Sequence, residues 1–211
     1  MRHMSVVERA RKTVRLPRKA RREQLLASAQ QVFVSNGYHA AAMDEIAENA
    51  GVSKPVLYQH FPSKLDLYLA LLEQSSEDLI KRVQAALDGT HDNHLRVRAA
   101  IEAYFAFVDD ESAAFRLVFE SDLTNEPAVR DIVEGADVRC AEAISHVIAA
   151  DTGLTEDQSM LVAMGLTGMA QTAARYWLRE KGAIPRDQAS KIMSVLAWRG
   201  VSGFPKTDPK A

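Results

Sequence analysis

The stretch from residue 41 to residue 64 constrains the fold of this chain more than any other, because it predicts two short helices joined by a tight turn. Within residues 43–50, apolar side chains recur at i, i+3, i+4 and i+7, the spacing of one buried helical face. Gly51 follows, where the chain must leave the helix and a left-handed conformation costs glycine little. Ser53 then occupies an N-cap position. Pro55 lies in the first turn of the next helix, where its missing N–H is not needed. The stretch therefore predicts a helix-turn-helix.

The second of these helices is predicted to run from Lys54 to about Phe61 and has a polar outward face. Leu57 and Phe61 form its buried face, whereas the opposite side carries hydrogen-bond donors and acceptors. An α-helix fits the major groove of DNA, where such groups meet the edges of the bases. This face therefore predicts DNA recognition. We expect contacts to DNA from Ala42, Ser53, Lys54, Pro55, Val56, Tyr58, Gln59, His60 and Lys64.

Two of these side chains suit base edges and three suit phosphate. Gln59 can pair with adenine and Lys54 with guanine, because their donors and acceptors match the pattern that these bases present in the major groove. Tyr58, His60 and Lys64 are better suited to phosphate oxygens. Contacts to bases set the sequence preference, whereas contacts to phosphate strengthen binding to all sequences.

The residues of this stretch resemble the TetR family of bacterial transcriptional regulators, over about residues 20–72. A dozen positions agree in order and at fixed spacing, which makes the match specific; the alternative is a helical hairpin of some other α-helical protein. The matching positions are Gly37-Tyr38, Ile46-Ala47, Ala50-Gly51-Val52-Ser53, Leu57-Tyr58, His60-Phe61 and Ser63-Lys64. The resemblance implies a homodimer that binds a palindromic double-stranded DNA operator and responds to a small hydrophobic effector. Its two recognition helices must reach successive major grooves, roughly 34–36 Å apart.

One departure from the family pattern concerns the start of the first of the two helices. The family usually has a hydroxyl residue just before Met43, which caps the helix and touches phosphate, whereas this chain has Ala40, Ala41 and Ala42. An N-cap is worth about 1 kcal/mol. We therefore expect a helix start that is looser or capped by the backbone alone. One phosphate contact of the family is then left without an evident counterpart.

The distribution of charge separates the first third of the chain from the rest. Residues 1–64 contain 11 Lys and Arg against 5 Asp and Glu, whereas residues 65–211 contain 15 against 23. A basic module joined to an acidic remainder is the electrostatic pattern of a phosphate-binding head. A solvated basic tail would produce the same excess, but the adjacent helix-turn-helix favours DNA binding.

Composition argues against several other classes of protein. No run of 18 apolar residues exists, and the basic N-terminus lacks an apolar signal sequence, so we expect no membrane association and a cytoplasmic location. The single cysteine, Cys140, excludes an intramolecular disulfide and fits a reducing compartment. No glycine-rich phosphate loop or Gly-x-Ser-x-Gly elbow occurs, and Cys140 has no evident histidine partner, so we expect no enzyme. His91 and His94 are spaced like a metal pair, but two histidines without further ligands indicate a solvated loop. We expect neither a metal nor a cofactor.

The remaining hydrophobic pattern predicts an all-α fold of about nine helices, since no stretch alternates at period 2 for long enough to form a strand. We expect a flexible basic arm over residues 1–17, a three-helix DNA-binding domain over 18–64, and a helical ligand-binding and dimerisation domain over 65–205. The predicted helices run from about Arg18 to Asn36, Met43 to Ala50, Lys54 to Phe61, Lys64 to Leu87, Leu95 to Val108, Ser112 to Glu120, Pro127 to Ala150, from just after Thr155 to Glu180, and from Pro185 to Trp198.

The apolar composition of the C-terminal part indicates two further surfaces. The resemblance implies that its helices enclose a small-molecule cavity, and Phe, Met and Gly together favour an apolar, adaptable lining, although plain core would show the same pattern. The candidate lining residues are Leu79, Tyr104, Phe105, Phe115, Phe119, Ile144, Met164, Gly168, Met169 and Thr172. Small residues let helices approach closely, and the resemblance implies that the last two helices pair with their mates in a four-helix bundle. The candidate dimer-interface residues are Gly165, Gly168, Trp177, Ile192, Val195 and Leu196.

The resemblance extends to the actinobacterial regulators of fatty-acid synthesis genes within the family. It is carried by residues 37–41 and 54–61, and in the body by residues 115–120 and 174–178. That subgroup responds to long-chain acyl-CoA. The resemblance therefore implies a regulator of lipid or fatty-acid metabolism genes that senses a long-chain acyl-CoA or fatty acid. Two alternatives stay open: a repressor of an efflux pump responding to hydrophobic drugs, and a nucleoid DNA-binding protein without effector. The size of the body argues against the second.

Overall fold

The computed structural model describes residues 16–110, 123, 125–180 and 183–201, and within these residues the secondary structure consists of eight helices. The all-α prediction is confirmed for this part of the chain. The first 15 residues of the predicted arm, the helix predicted from Ser112 to Glu120 and the tail after residue 201 lie outside the described residues. The helices are α1 (Arg18–Ala40), α2 (Met43–Asn49), α3 (Lys54–His60), α4 (Lys64–Asp88), α5 (Asn93–Val108), α6 (Pro127–Asp151), α7 (Glu156–Arg179) and α8 (Arg186–Val201).

Gly37 interrupts α1 near its C-terminal end. Its φ of 74° and ψ of 168° are not helical, and glycine adopts such a backbone conformation without the strain that a Cβ would cause. The sequence predicts that the helix ends at this glycine; instead the chain bends there and continues to Ala40. Beyond the bend, the ring of Tyr38 packs against Phe33 and Tyr68, with ring centroids 5.9 and 5.2 Å apart. The bend therefore brings the end of α1 against α4.

The turn between α2 and α3 has the geometry that the sequence predicts. Gly51 adopts a left-handed φ of 63°, and its N–H donates to the carbonyl oxygen of Glu48. Ile46 of α2 and Leu57 of α3 are fully buried on the two sides of this turn. The two helices thus share one apolar core with α1 and the first turns of α4.

Helix starts show where the predicted caps form. Ser63 and Thr155 each accept a hydrogen bond from the backbone N–H three residues on, so their side chains cap α4 and α7. Ser53 occupies the N-cap position of α3, but its side chain makes no cap hydrogen bond, which corrects the prediction. α2 begins after Ala42 without a side-chain cap, as its alanines predict.

α4 joins the three N-terminal helices to the rest of the protein. Its first half packs against α1, where Leu67 and Tyr68 are buried, and its second half packs against α5 and α6, where Leu79 and Val83 are buried. α5 lies between α4, α7 and α8 and contributes the fully buried ring of Phe107. None of the described helices combines the length and the apolarity that crossing a bilayer would need.

Candidate nucleic-acid interface and effector cavity

The outward face of α3 presents the side chains that the sequence assigns to DNA. Leu57 is fully buried and fixes the rotation of the helix, so its neighbours Tyr58 and Gln59 point outward. Tyr58 is an aromatic side chain with 39% exposure. Of the other predicted contacts, Ala42, Ser53, Lys54 and Pro55 are exposed, and Val56 and His60 are half-buried.

Lys54 forms an ion pair with Asp44 of α2. The Nζ and Oδ1 atoms are 2.7 Å apart, and the two side chains are 55% and 68% exposed. The hydrogen bond from Lys54 to this carboxylate is the main reason why the pKa of Lys54 is raised. Exposed ion pairs contribute little free energy, so Lys54 can exchange Asp44 for a base edge. The Asp44 carboxylate would then remain as an unpaired negative charge beside any DNA that Lys54 contacts.

Lys64 has a different environment from the one predicted for a phosphate contact. Its Nζ donates to the carbonyl oxygens of Tyr38, His39 and Ala41, at 2.8, 3.2 and 2.9 Å. A lysine ammonium has three donors, and all three are used here. Lys64 therefore satisfies carbonyl groups at the C-terminal end of α1. These bonds give Lys64 a structural role, and the phosphate contact that the sequence suggests stays a prediction.

Three arginines of α1, Arg18, Arg21 and Arg22, lie near the end of α3, and the sequence prediction did not select them as DNA contacts. Burial lowers the pKa of the His60 imidazole, and the positive charges of these arginines lower it further. His60 is therefore neutral at neutral pH and offers a hydrogen bond, whereas the arginines offer charge. Arg22 also lies over the ring of Phe61, 4.6 Å from its centre. The three arginines recur at i, i+3 and i+4, which places them on one face of α1. This spacing is the sequence signal that could have identified them.

An apolar cavity of about 110 Å³ lies between α4, α5, α6, α7 and α8. Of the predicted ligand contacts, Tyr104 and Ile144 line this cavity, whereas Leu79 and Phe105 are buried in the core beside it. Phe115 and Phe119 lie outside the described residues. The lining residues are Val83, Leu87, Asn93, Arg96, Val97, Ala100, Ile101, Tyr104, Cys140, Ile144, Val147, Ile148, Asp151, Thr152, Leu166, Thr167, Ala170, Ala197 and Trp198.

The ligand contacts predicted on α7 do not line this cavity, which corrects the prediction. Met164 is 40% exposed and Thr172 is exposed, so both side chains lie at the protein surface. Gly168 and Met169 are half-buried outside the lining. The α7 residues that face the cavity are Leu166, Thr167 and Ala170. The inward face of α7 is therefore rotated from the face that the sequence indicated.

The polar end of the cavity is formed where α4, α5 and α6 meet, and sequence reasoning missed it. Arg96, whose side chain is 16% exposed, is its centre. Its Nε donates to the carbonyl oxygens of Leu87 and Thr90, at 3.1 and 2.8 Å. Its Nη1 donates to Asn93 Oδ1 at 2.9 Å and to Asp151 Oδ2 at 3.0 Å. The guanidinium thus links the C-terminal ends of α4 and α6.

Three other polar groups lie in or near the cavity wall. The hydroxyl of Thr167 is buried and has no hydrogen-bond partner among the described residues. Burial raises the pKa of Cys140 to about 12, so this residue is a thiol and not a nucleophilic thiolate. Burial also raises the pKa of Asp137 to about 6, although Gln171 donates to both of its oxygens at 3.3–3.4 Å. None of these groups resembles catalytic machinery.

No group of three His, Cys, Asp or Glu residues in the described ranges could hold a metal ion. The two histidines with metal-like spacing do not converge on one site with further ligands. His94 packs edge-on against the ring of Trp198, with centroids 5.1 Å apart, and His91 is exposed. His91 therefore lies in the loop before α5, and His94 lies in the first turn of α5.

The outer faces of α7 and α8 carry most of the large apolar side chains that are exposed in the described residues. Leu161 is 75% exposed, Tyr176 58% and Leu196 57%. We name this surface the outer seam; it comprises Leu161, Met164, Gly165, Gly168, Thr172, Tyr176, Ile192, Val195 and Leu196. A Cβ added at either of its glycines would meet no atom within 4 Å, so packing within the chain does not explain them.

Trp177, which the sequence suggests for the dimer interface, packs against the core and is not included in the outer seam. Its ring packs against Phe105, with centroids 5.7 Å apart. Its Nε1 donates to the carbonyl oxygen of Ile184 at 2.7 Å. The indole therefore fixes the connection between α7 and α8 to the core.

Comparisons with known proteins agree with this architecture. Residues 25–71 match the family described as bacterial regulatory proteins, tetR family. The chain is 48% identical over 193 residues to the HTH-type transcriptional activator FasR of Mycolicibacterium smegmatis, covering 92% of this chain and 88% of that protein.

Two solved structures share the fold. A TetR-like transcriptional regulator from Rhodococcus sp. RHA1 superimposes with a TM-score of 0.70 and 28% identity, over 90% of this chain and all of the other. The transcriptional regulator FadR from Bacillus subtilis, solved in complex with stearoyl-CoA, has a TM-score of 0.70 and 19% identity, over 86% of this chain and 98% of the other.

Proposed function

The chain belongs to the TetR family of bacterial regulatory proteins, and from this premise we propose that it regulates lipid or fatty-acid metabolism genes by sensing a long-chain acyl-CoA or fatty acid. Family membership makes it a DNA-binding transcriptional regulator rather than an enzyme. The proposal adds the effector, its site and the surfaces used for DNA and for dimerisation.

The composition of the cavity wall is the observation that carries the proposal. Apart from its polar end and the side chains of Tyr104, Cys140 and Thr167, the lining consists of aliphatic residues and Trp198. Such a wall offers no counter-charge along its length and favours an extended hydrocarbon. Each buried CH₂ contributes about 0.8 kcal/mol, so affinity should rise with chain length until the cavity is full.

The size of the cavity suggests how binding could be coupled to DNA. At about 110 Å³ it is smaller than the roughly 300–1,000 Å³ of a drug-sized ligand site, so a long chain must widen it. Val83 and Leu87 of α4 belong to its wall, and α4 begins at Lys64 beside the end of α1. Displacement of α4 by the ligand would therefore move the DNA-binding helices. Only a difference in affinity between the two states shifts their populations.

Relatives support the acyl effector. A protein of the same fold, the FadR regulator from Bacillus subtilis, was solved in complex with stearoyl-CoA, so this architecture can accommodate a long acyl thioester. The FasR relative is named a transcriptional activator, and we propose the same regulatory direction for this chain.

The outer seam is the proposed dimer interface, and the exposed face of α3 is the proposed DNA-reading surface. Two helices from each copy would bury the apolar side chains of the seam. The glycines Gly165 and Gly168, which cost about 1 kcal/mol each inside a helix, would permit close approach of the partner helix. Dimerisation also brings two copies of α3 to successive major grooves, as a palindromic operator requires. Lys54 and Gln59 are the proposed base contacts.

A gel-shift series with acyl-CoAs of increasing length tests the effector, run beside a cationic drug of similar apolar area. We expect a response that grows with acyl length and no response to the drug. A drug response without an acyl response would overturn the proposal and favour a repressor of an efflux pump.

Two matched variants test whether the effector binds in this cavity. Ala100 lines the cavity, whereas its neighbour Ala99 faces a shallow groove between α4 and α5. Ala100→Leu should weaken the response to the longest effective acyl-CoA about tenfold or more, because the added side chain occupies ligand space. Ala99→Leu should leave it unchanged. Equal responses from the two variants would exclude this cavity as the site.

A further inference from the structure

The polar end of the cavity has hydrogen-bonding capacity that the protein does not use. A guanidinium has five N–H donors. In Arg96, Nε and Nη1 make four contacts, to Leu87, Thr90, Asn93 and Asp151. Nη2 makes no hydrogen bond to the described residues. Arg96 lines the cavity and its Nη2 is not fully buried, so this nitrogen is accessible to an acceptor atom of a ligand.

The charge at this end is already balanced. Arg96 Nη1 and Asp151 Oδ2 are 3.0 Å apart, and both residues line the cavity. A neutral carbonyl oxygen can accept from Nη2 without changing this balance. A carboxylate would bring a second negative charge next to Asp151, and in an apolar cavity an uncompensated charge is costly.

We infer that the Arg96–Asp151 pair makes the cavity select neutral acyl derivatives, such as thioesters and esters, over free carboxylates of the same chain length. Arg96 Nη2 is the donor to the acyl carbonyl, and Asp151 is the group that rejects the carboxylate. The inference rests on the proposed function and specifies its ligand class.

The position of the pair links head-group recognition to α4. Arg96 holds the carbonyl oxygen of Leu87 in the last turn of α4. A carbonyl bound at Nη2 therefore contacts the same side chain that fastens the end of α4 to α6. The head group and the hydrocarbon chain of the ligand would therefore both act on α4.

The test measures binding of a fatty acid and of its methyl ester, of equal chain length and below their aggregation concentrations, by displacement of a fluorescent acyl probe. At neutral pH we expect the wild-type protein to bind the ester about tenfold or more tighter than the acid. Asp151→Asn should raise affinity for the acid and leave affinity for the ester nearly unchanged. The two affinities should then differ by no more than about threefold; we call this difference between ester and acid the gap. Asp88→Asn, an exposed position outside the lining, removes the same charge and should keep the gap.

A second measurement does not depend on the variant folding well. Lowering the pH toward the carboxyl pKa of the fatty acid, which is about 4–5 as for a model carboxyl group, neutralises the ligand and should narrow the gap in the wild-type protein. If Asp151 only supports the fold, Asp151→Asn will weaken both ligands equally. Equal wild-type affinity for acid and ester overturns this inference and leaves the proposed function standing. Failure of both ligands to displace the probe, with the acyl-CoA series also inactive, overturns the two together.

Discussion

The ammonium nitrogen of Lys64 lies 2.8 Å from the carbonyl oxygen of Tyr38 and 4.5 Å from the centre of the same residue's ring. The first residue of α4 thus holds the last residues of α1 by charge-assisted hydrogen bonds and a cation–π contact. We propose that movement of α4 reaches the N-terminal helices through this joint.

Replacing Lys64 by Met should lower the free energy of unfolding by about 1.5–3 kcal/mol, the range for hydrogen bonds to a charged group. Urea unfolding measures this. Lys54→Met, which removes an exposed lysine with an exposed partner, should leave the free energy of unfolding nearly unchanged. The salt dependence of DNA binding should keep its slope in the Lys64 variant. A slope reduced by about one phosphate, with unchanged stability, would instead support the predicted phosphate contact of Lys64.

Replacing Asp44 by Asn should strengthen binding to all DNA sequences at low salt. The change removes a negative charge from the interface and frees the Lys54 ammonium 2.7 Å away. Titrations at several salt concentrations should show a steeper slope than in the wild-type protein, because one more cation contributes to counterion release. An unchanged slope and affinity would mean that Asp44 does not face the DNA.

Replacing Leu196 by Glu should convert the protein to a monomer in sedimentation experiments. The side chain is 57% exposed in the single chain, so the variant should fold, but a charge buried in an apolar dimer interface costs several kcal/mol. Leu95→Glu introduces the same charge at a similarly exposed leucine outside the last two helices and should leave the dimer intact. A dimeric Leu196 variant with wild-type affinity would remove the outer seam as the interface.

Asp137 should make stability fall as pH rises from about 4 to about 6. Its pKa is about 6 in the folded protein and about 3.9 in the unfolded chain. The folded state therefore binds more protons in this window, and the penalty for the buried carboxylate is fully present above it. Asp137→Asn should raise the melting temperature at pH 7.5, and the gain should disappear near pH 4. A constant difference across this range would contradict the assignment.

Replacing Thr167 by Val should stabilise the protein without ligand, by about 1–3 kcal/mol. Its buried hydroxyl lacks a hydrogen-bond partner in the described part of the chain, and such groups pay a desolvation penalty in that range. Destabilisation by Thr167→Val would show that the hydroxyl has a partner.

The helix-turn-helix geometry and the outward face of α3 were predictable because their signals are local. Gly51 ends one helix, Pro55 starts the next, and the apolar spacing that buries Leu57 turns Tyr58 and Gln59 outward. All of this lies within about a dozen residues. The role of Lys64 was not predictable in the same way, because its partners are 23 to 26 residues earlier in the chain. A lysine beside a helix-turn-helix fits a phosphate contact equally well until the fold brings the end of α1 to it.

The polar end of the cavity depends still more on the fold. Arg96 and Asp151 are separated by 55 residues, and neither belongs to a recognisable motif. They meet because the first turn of α5 lies beside the last turns of α4 and α6. The sequence supplies an arginine and an aspartate; packing makes them a pair at the polar end of the cavity.

α7 shows a structural feature that the sequence alone does not determine. Its spacing defines two apolar faces, one with Thr167 and Ala170 and the other with Met164 and Gly168. Helical periodicity gives the angle between such faces but not which of them points inward, because burial in the core and burial against a second copy select the same kinds of side chain. The sequence by itself therefore determined the all-α fold, the helix-turn-helix and the apolar character of the body. Only the tertiary structure decided which face of α7 lines the cavity, since that choice depends on contacts with α5 and α6 that are distant in the chain.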